Sequence, residues 1–245
     1  MPGDGAGRVE AVIRCPARVP DLADATHAGV LWRAGPGRLL FDVPQVARYL
    51  VSDGKLVEIA PSPGARASGI RRFLRMTPTA ALYLQRGIPV LHAAVAVDDA
   101  GRGVVLAGDS GSGKSTLLAA LARRGWRQLA DDLAPVTLDD DRVPVAVPTW
   151  PDRREPRPIG AIWWLGVHGG DPVEVRAVEG IARFEAFGAM AYNRLIASAL
   201  LDRGSYLAIA GAVAGAAIPI RLLLRPRGRW TGDELAGLVE DACRG

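Results

Sequence analysis

Apolar and polar positions change their period along the chain, and the change divides it in two. In the first third the apolar residues come in short runs. Residues 9–14 and 38–43 are rich in β-formers, and runs at 48–51 and 56–60 flank Ser52-Asp53-Gly54-Lys55. Asp-Gly between two apolar runs predicts a β-hairpin. Pro61-Ser62-Pro63-Gly64 then breaks the pattern. Ile70, Phe73 and Leu74 follow at helical spacing, as do Ala81, Leu82 and Leu84, with Thr77-Pro78 starting the second helix and Gly87 closing it.

From about residue 86 strands and helices alternate. Strands are expected at 90–97 and 103–107, joined across 98–101, and a helix at 114–124, stopped by Gly125. Further strands are expected at 127–130, 134–138, 143–147, 159–165 and 218–224. Residues 181–201 read as helical, and a terminal helix is expected at 233–242, begun by Thr231. The fold class is therefore α/β with a mixed sheet. Residues 1–85 form a β-rich N-terminal segment with helices at its end, and residues 86–245 form the core. No internal repeat is visible.

Composition narrows the function. Apolar residues make up 49% of the 245 residues and charged residues 23%, the balance of a globular protein with a real core. Only the first few positions, with Pro2, Gly3, Gly5 and Gly7, carry too little to pack. The pI of about 9.5 invites a nucleic-acid partner. The formal net charge is only +4, however, and the 26 acidic residues are interleaved with the basic ones. No basic run and no nucleic-acid motif appears, so none is expected as a partner. Cys15 and Cys243 stand alone near opposite ends, as in a reduced, cytoplasmic protein, and the start lacks a signal-peptide pattern. Residues 206–220 carry no charge but are too short for a membrane span, and read as a buried helix running into a strand. No membrane association is expected, and an oligomer remains open.

Candidate chemistry centres on Gly108-Asp109-Ser110-Gly111-Ser112-Gly113-Lys114-Ser115. An apolar strand precedes this run, and Thr116, Leu117, Leu118 and Leu121 open a helix after it. That is the context a P-loop requires. Glycines let backbone N–H groups turn in around phosphates, Lys114 offers a compact charge, and the Ser115 hydroxyl suits Mg²⁺. Lys114 is one of only two lysines, and a chance match is roughly two in a thousand on this composition. ATP and Mg²⁺ are the expected ligands, bound across Gly108–Thr116.

A P-loop enzyme also needs a carboxylate for the metal. Asp131-Asp132 is the first candidate, at the end of the strand expected at 127–130. Adjacent residues on extended backbone point to opposite sides, so one can face the metal and the other an acceptor hydroxyl. Asp139-Asp140-Asp141 reads as a solvated turn. Of the histidines, His27 and His168 lie in polar stretches, and His92 lies within an apolar run, where a satisfied core histidine is the commoner case.

Together these residues carry a resemblance. Leu91-His92-Ala93-Ala94, the P-loop, and Arg124-Gly125-Trp126-Arg127-Gln128-Leu129-Ala130-Asp131-Asp132 resemble the catalytic core of the HPr kinase/phosphorylase family. The likeness is greatest to the shorter HPr-kinase-like proteins of peptide-modification pathways, including kinases of lasso-peptide precursors. It spans about residues 88–138, with looser similarity in the N-terminal segment and at 218–243. The resemblance implies a P-loop core related to phosphoenolpyruvate carboxykinase, with transfer from ATP to a serine hydroxyl. It implies His92 as a catalytic-site residue, Asp131 as base, and Asp132 as metal ligand beside Ser115. Two departures weigh against HPr as acceptor and against the reverse phosphorylase reaction. Thr116 stands where the bifunctional enzymes usually carry an acid. The family's C-terminal signature is only echoed by Arg225-Pro226-Arg227-Gly228-Arg229, and Tyr192-Asn193-Arg194 is no closer. The expectation is a kinase of a peptide or protein hydroxyl, with a small-molecule kinase or a non-catalytic nucleotide-dependent regulatory module as alternatives.

Overall fold

The computed structural model describes residues 7–170, 172–228 and 232–244; Thr231 and Arg229 lie outside the described residues. The chain begins with strands β1 (Val12–Arg14), β2 (His27–Ala28), β3 (Trp32–Gly35), β4 (Arg38–Val43), β5 (Ala47–Ser52) and β6 (Leu56–Pro61), then helices α1 (Ala67–Leu74) and α2 (Thr77–Leu84). These strands form one sheet in the order β1-β6-β5-β4-β3-β2, antiparallel except for the β1–β6 pair. The Asp-Gly signal does what its chemistry demands. Asp53 (φ 51°) and Gly54 (φ 64°) take left-handed backbone, and the Lys55 N–H donates to the Ser52 carbonyl at 3.0 Å. Alternation then sets the faces. Leu39, Phe41, Tyr49, Val51, Val57 and Ile59 point into a core capped by α2, whose eight residues are all buried, while Leu40 and Leu50 pack against Val19 and Leu22 on the other side.

The rest of the chain comprises β7 (Val90–Leu91), β8 (Ala93–Val97), β9 (Gly103–Gly108), α3 (Lys114–Arg123), β10 (Arg127–Ala130), β11 (Ala134–Leu138), β12 (Pro144–Ala146), β13 (Arg157–His168) and β14 (Glu174–Ala177). It ends with α4 (Ile181–Ala189), α5 (Arg194–Leu200), α6 (Arg203–Gly215), β15 (Ile220–Pro226) and α7 (Gly232–Arg244). The strand β13 is the spine of a mixed sheet: it runs parallel to β9 on one side and to β15 on the other. Helices cover both faces there. Ala94, Ala96, Val104 and Leu106 meet Leu117 and Leu121 of α3 and Val239 of α7, while Val95, Val105 and Ala107 belong to the core with Phe187 of α4 and Ile209 and Val213 of α6. Strands buried on both faces read as unbroken apolar runs, as β8 and β9 do.

The structure departs from the sequence expectation in several places. The run at 90–97 is two strands broken at His92, because β7 pairs with β11 whereas β8 pairs with β9 and β10. The chain changes neighbours at that residue. The helix expected over 181–201 is also broken, since residues 190–192 leave it to lie beside Val90–His92. Asn193 (φ 39°) restarts the helix, its side chain accepting the Ile196 N–H at 3.3 Å. The first strand is shorter than the run 9–14, and β2, β3 and β14 are additional. The uncharged stretch 206–220 divides between α6 and β15. Among the described residues no helix is long and apolar enough to cross a membrane.

Candidate active site

Strand β9 delivers the loop 108–113 to the end of the sheet, beside β13. At Gly108 (φ 139°) a Cβ would run into the Leu165 carbonyl and the Ser112 hydroxyl, so the strand can leave the sheet here only as glycine. Gly111 (φ 82°) and Gly113 (φ 107°) also hold left-handed backbone. Few backbone–backbone hydrogen bonds hold the loop. The Ser112 N–H donates to the Asp109 carbonyl at 3.1 Å, and the Leu117 N–H to that of Gly113 at 2.8 Å. The N–H groups of Gly111, Gly113, Lys114 and Ser115 have no acceptor among the described residues. Together with the first turn of α3 they form an anion cradle. The Ser112 hydroxyl is buried and unpartnered as well, an orphan that a phosphate oxygen would satisfy. Ser110 and Thr116 are exposed at the rim.

Lys114 is 5% exposed. Its ammonium donates to the carbonyls of Gly108 (2.7 Å) and Asp109 (3.1 Å) and reaches His92 Nε2 at 3.2 Å. Burial pushes its pKa down, while the charges of Asp132, Asp109 and Asp131 oppose the shift. His92 Nδ1 lies 3.2 Å from the Asp132 carbonyl, which can only accept. Both contacts are met by one imidazole tautomer, protonated on Nδ1 and accepting from Lys114 on Nε2. The histidine is thus no core residue but a link between the loop lysine and the acidic pair.

The acidic pair does not sit on extended backbone. Strand β10 ends at Ala130, and the Leu133 N–H donates to the Asp131 carbonyl at 2.9 Å across Asp132, whose φ is 65°. That i to i+2 bond makes a γ-turn, a strained arrangement for a residue with a side chain. The turn, and not strand alternation, separates the two carboxylates. Ser115 Oγ and Asp131 Oδ1 lie 3.5 Å apart, close enough to ligate one cation together. Desolvation of the Asp131 carboxyl, and then the charge of Asp132, push its pKa up. Asp132 is the carboxylate that acts most strongly on Lys114, and its charge also raises the pKa of Tyr192, although burial is the larger cause there. Among the described residues no group of three His, Cys, Asp or Glu side chains could hold a metal. A magnesium carried largely by phosphates and water needs no such group, so Ser115 and Asp131 fit it.

The structure therefore brings together Gly108, Asp109, Lys114, Ser115, His92, Asp131 and Asp132. It also places residues that sequence reasoning passed over. Arg225 of β15 donates to the carbonyls of Ser112 (3.0 Å) and Gly111 (3.3 Å), holding them outward so that the loop N–H groups face in. Its only sequence signal was the arginine-rich echo that contains it. Trp164, Met190 and Tyr192 wall a cavity of about 340 Å³ beside His92, Gly108 and Asp109. The Tyr192 ring lies tilted beside that of His92, centroids 6.3 Å apart, and its hydroxyl bonds Thr77 Oγ1 at 3.1 Å. Nothing in the pattern of the 181–201 run marked it for this place.

No family model and no curated protein matches the sequence. Among solved structures the chain is similar to the HPr(Ser) kinase/phosphatase from Coxiella burnetii, with 15% identity and a TM-score of 0.34, over 63% of this chain and 93% of that one.

Proposed function

We propose that the chain is an ATP- and Mg²⁺-dependent phosphotransferase that moves the γ-phosphate onto a serine or threonine hydroxyl of a peptide or protein, with a biosynthetic precursor peptide as the favoured acceptor. One observation carries the reading. A loop of unpaired backbone N–H groups, a desolvated lysine and two carboxylates parted by a γ-turn converge on one cleft. In this reading Gly111, Gly113 and Lys114 hold the phosphates by their N–H groups, and the Lys114 ammonium offsets their charge. Ser115 and Asp131 would hold the metal, which would supply positive charge to the transferring phosphate. Asp132, on the His92 side, takes the proton of the acceptor hydroxyl as its oxygen bonds to the γ-phosphorus and ADP departs with the bridging oxygen. This exchanges the roles that the family resemblance implies for the two aspartates. The 3.5 Å approach of Asp131 to Ser115 supports the exchange. His92, through its bond to the Asp132 carbonyl, positions the turn. The peptide acceptor draws support from the motif resemblance and from Thr116 in place of an acid.

Incubation with Mg-ATP and a serine-centred peptide library, followed by mass measurement, tests the reading. Phosphate-mass gain on peptides is expected. Labelling of HPr or of a metabolite alcohol with none on peptides would sink the acceptor class, and no transfer at all would sink the kinase. The aspartates are separable in the same assay. Asp132→Asn is expected to lower kcat by ~10²–10⁴ with ATP affinity retained, the usual weight of a general base. Asp131→Asn should chiefly raise the Mg²⁺ concentration needed for half-maximal rate. Swapped phenotypes would restore the family assignment.

A further inference from the structure

Across a thin wall from the phosphate cleft lies a second cavity, of about 290 Å³. The wall is the short ladder in which the His92 N–H donates to the Met190 carbonyl and the Tyr192 N–H to that of Val90, both at 2.8 Å. His92, Met190 and Tyr192 line the P-loop side, while Val90 and Leu91 line the far side. Ala191 and Arg194 line both, so the two spaces adjoin. The interior of the second cavity is apolar, from Leu91, Phe187, Leu201 and Tyr206. No aspartate or glutamate lines it; its charges are Arg194 and Arg203. The Arg203 guanidinium has no hydrogen-bond or ion-pair partner among the described residues. Among the described residues Arg194 reaches only the Ala189 carbonyl, at 3.4 Å. The neighbouring Asp202 is engaged in capping α6, accepting from the Ser205 N–H at 2.8 Å and hydroxyl at 3.0 Å.

We infer that this cavity docks the acceptor: it takes a large apolar side chain of the peptide, with an adjacent Asp or Glu side chain paired to Arg194 and Arg203. The inference rests on the peptide-kinase reading and adds a sequence preference to it. An apolar chamber rewards a buried Leu, Ile, Met or Phe by roughly ten- to a hundredfold in affinity. Two guanidinium groups without acidic partners select a carboxylate beside it. Because Ala191 and Arg194 line both spaces, a peptide anchored in the cavity keeps nearby residues within reach of the cleft. The cavity lacks the turned-in N–H groups of the P-loop and does not serve nucleotide phosphates.

The test uses the full chain and a peptide that cannot be phosphorylated: dansyl-Gly-Leu-Glu-Gly-amide, followed by fluorescence with and without Mg-ATP. Saturable binding is expected. Replacing Leu by Ala or Glu by Lys in the peptide should weaken it about tenfold or more, as should Ala197→Trp, which fills the cavity, and Arg203→Glu at an exposed position. Mg-ATP affinity of both variants should stay within about twofold of wild type, showing that each is folded. Serine peptides carrying the same Leu-Glu pair should be phosphorylated with a lower KM than those lacking it. Equal binding by wild type and both variants would overturn the docking site even if peptides are phosphorylated. Tighter binding of dansyl-Gly-Leu with a free carboxyl end would overturn the side-chain acid as the carboxylate source. Cavity-dependent binding with no phosphoryl transfer would overturn the acceptor assignment together with the kinase reading.

Discussion

The N-terminal sheet and the P-loop sheet draw on the same apolar residues but spend their irregular backbone in different places. In the first, left-handed residues stand at hairpin tips: Gly37, Gln45, Asp53 and Gly54. Each lets a strand reverse, and even Gly54, whose carbonyl accepts from Arg86 at 2.8 Å beside a charged surface cavity, stands at a hairpin tip. In the second, Gly108, Gly111 and Gly113 shape the P-loop, Asp132 turns the acidic pair and Asn193 lines the cavity beside His92, while Gly87, Gly101, Gly125, Arg142, Gly180 and Gly228 stand elsewhere. The buried, unpartnered Ser112 hydroxyl and the free loop N–H groups belong to the P-loop, although unpartnered buried atoms also occur away from it, at Trp163 Nε1 and Arg221 Nη1. Strain at a turn serves connectivity, whereas strain that converges on a cleft marks chemistry.

That contrast can be broken by substitution. The largest effect is expected for Lys114→Met, which removes the charge while keeping the stem. Phosphoryl transfer should fall by ~10²–10³ or more, with the protein still folded by thermal melt. Unchanged activity would end the P-loop assignment. Leu39→Ala, at a fully buried position of the N-terminal sheet, should do the reverse: a loss of ~2–5 kcal/mol in stability with activity per folded molecule unchanged. A catalytic loss there would erase the contrast. Arg225→Ala should raise the KM for ATP about tenfold with a small change in kcat, since the guanidinium braces loop carbonyls and touches no substrate in the proposed geometry. Arg225→Lys should recover part of the loss. The smallest effect is expected for Ser112→Ala. Removing a buried hydroxyl without a partner should leave the melting temperature unchanged or raise it, by up to ~1 kcal/mol in stability, while Mg-ATP affinity falls a few-fold. A drop in both would mean that the hydroxyl is structural.

How far the sequence could be read depended on whether the signal was local. The P-loop was legible because each glycine answers a backbone demand at its own position, as Gly108 does against Leu165. The Asp53-Gly54 hairpin was legible for the same reason. The break at His92 was not, since Val90, Leu91, Ala93 and Ala94 keep one apolar run on both sides, and only the change of strand partner interrupts it. Residues 190–193 were missed because their pairing lies a hundred residues away in sequence, although Asn193 as a capping residue was a usable hint. The γ-turn at Asp132 leaves no trace in composition, and its carboxylate could be assigned a direction only from strand alternation. The second cavity draws its walls from residues between Leu84 and Tyr206, and no sequence window contains it.

The packing of α5 has a consequence for how the chain is made. The core beneath the N-terminal sheet includes Ile196, with Ala197 and Leu200 packed against it, although α4 and α6 on either side belong to the other core. On the ribosome the strands β1 to β6 and the helix α2 emerge first, and roughly a hundred residues pass before α5 follows. At ordinary elongation rates that interval is on the order of 5–20 s. For that time the nascent sheet carries an apolar patch that only a later part of the same chain can cover. Chaperone occupancy should therefore peak on nascent chains longer than the sheet and shorter than α5, and decline once Ile196 has left the exit tunnel.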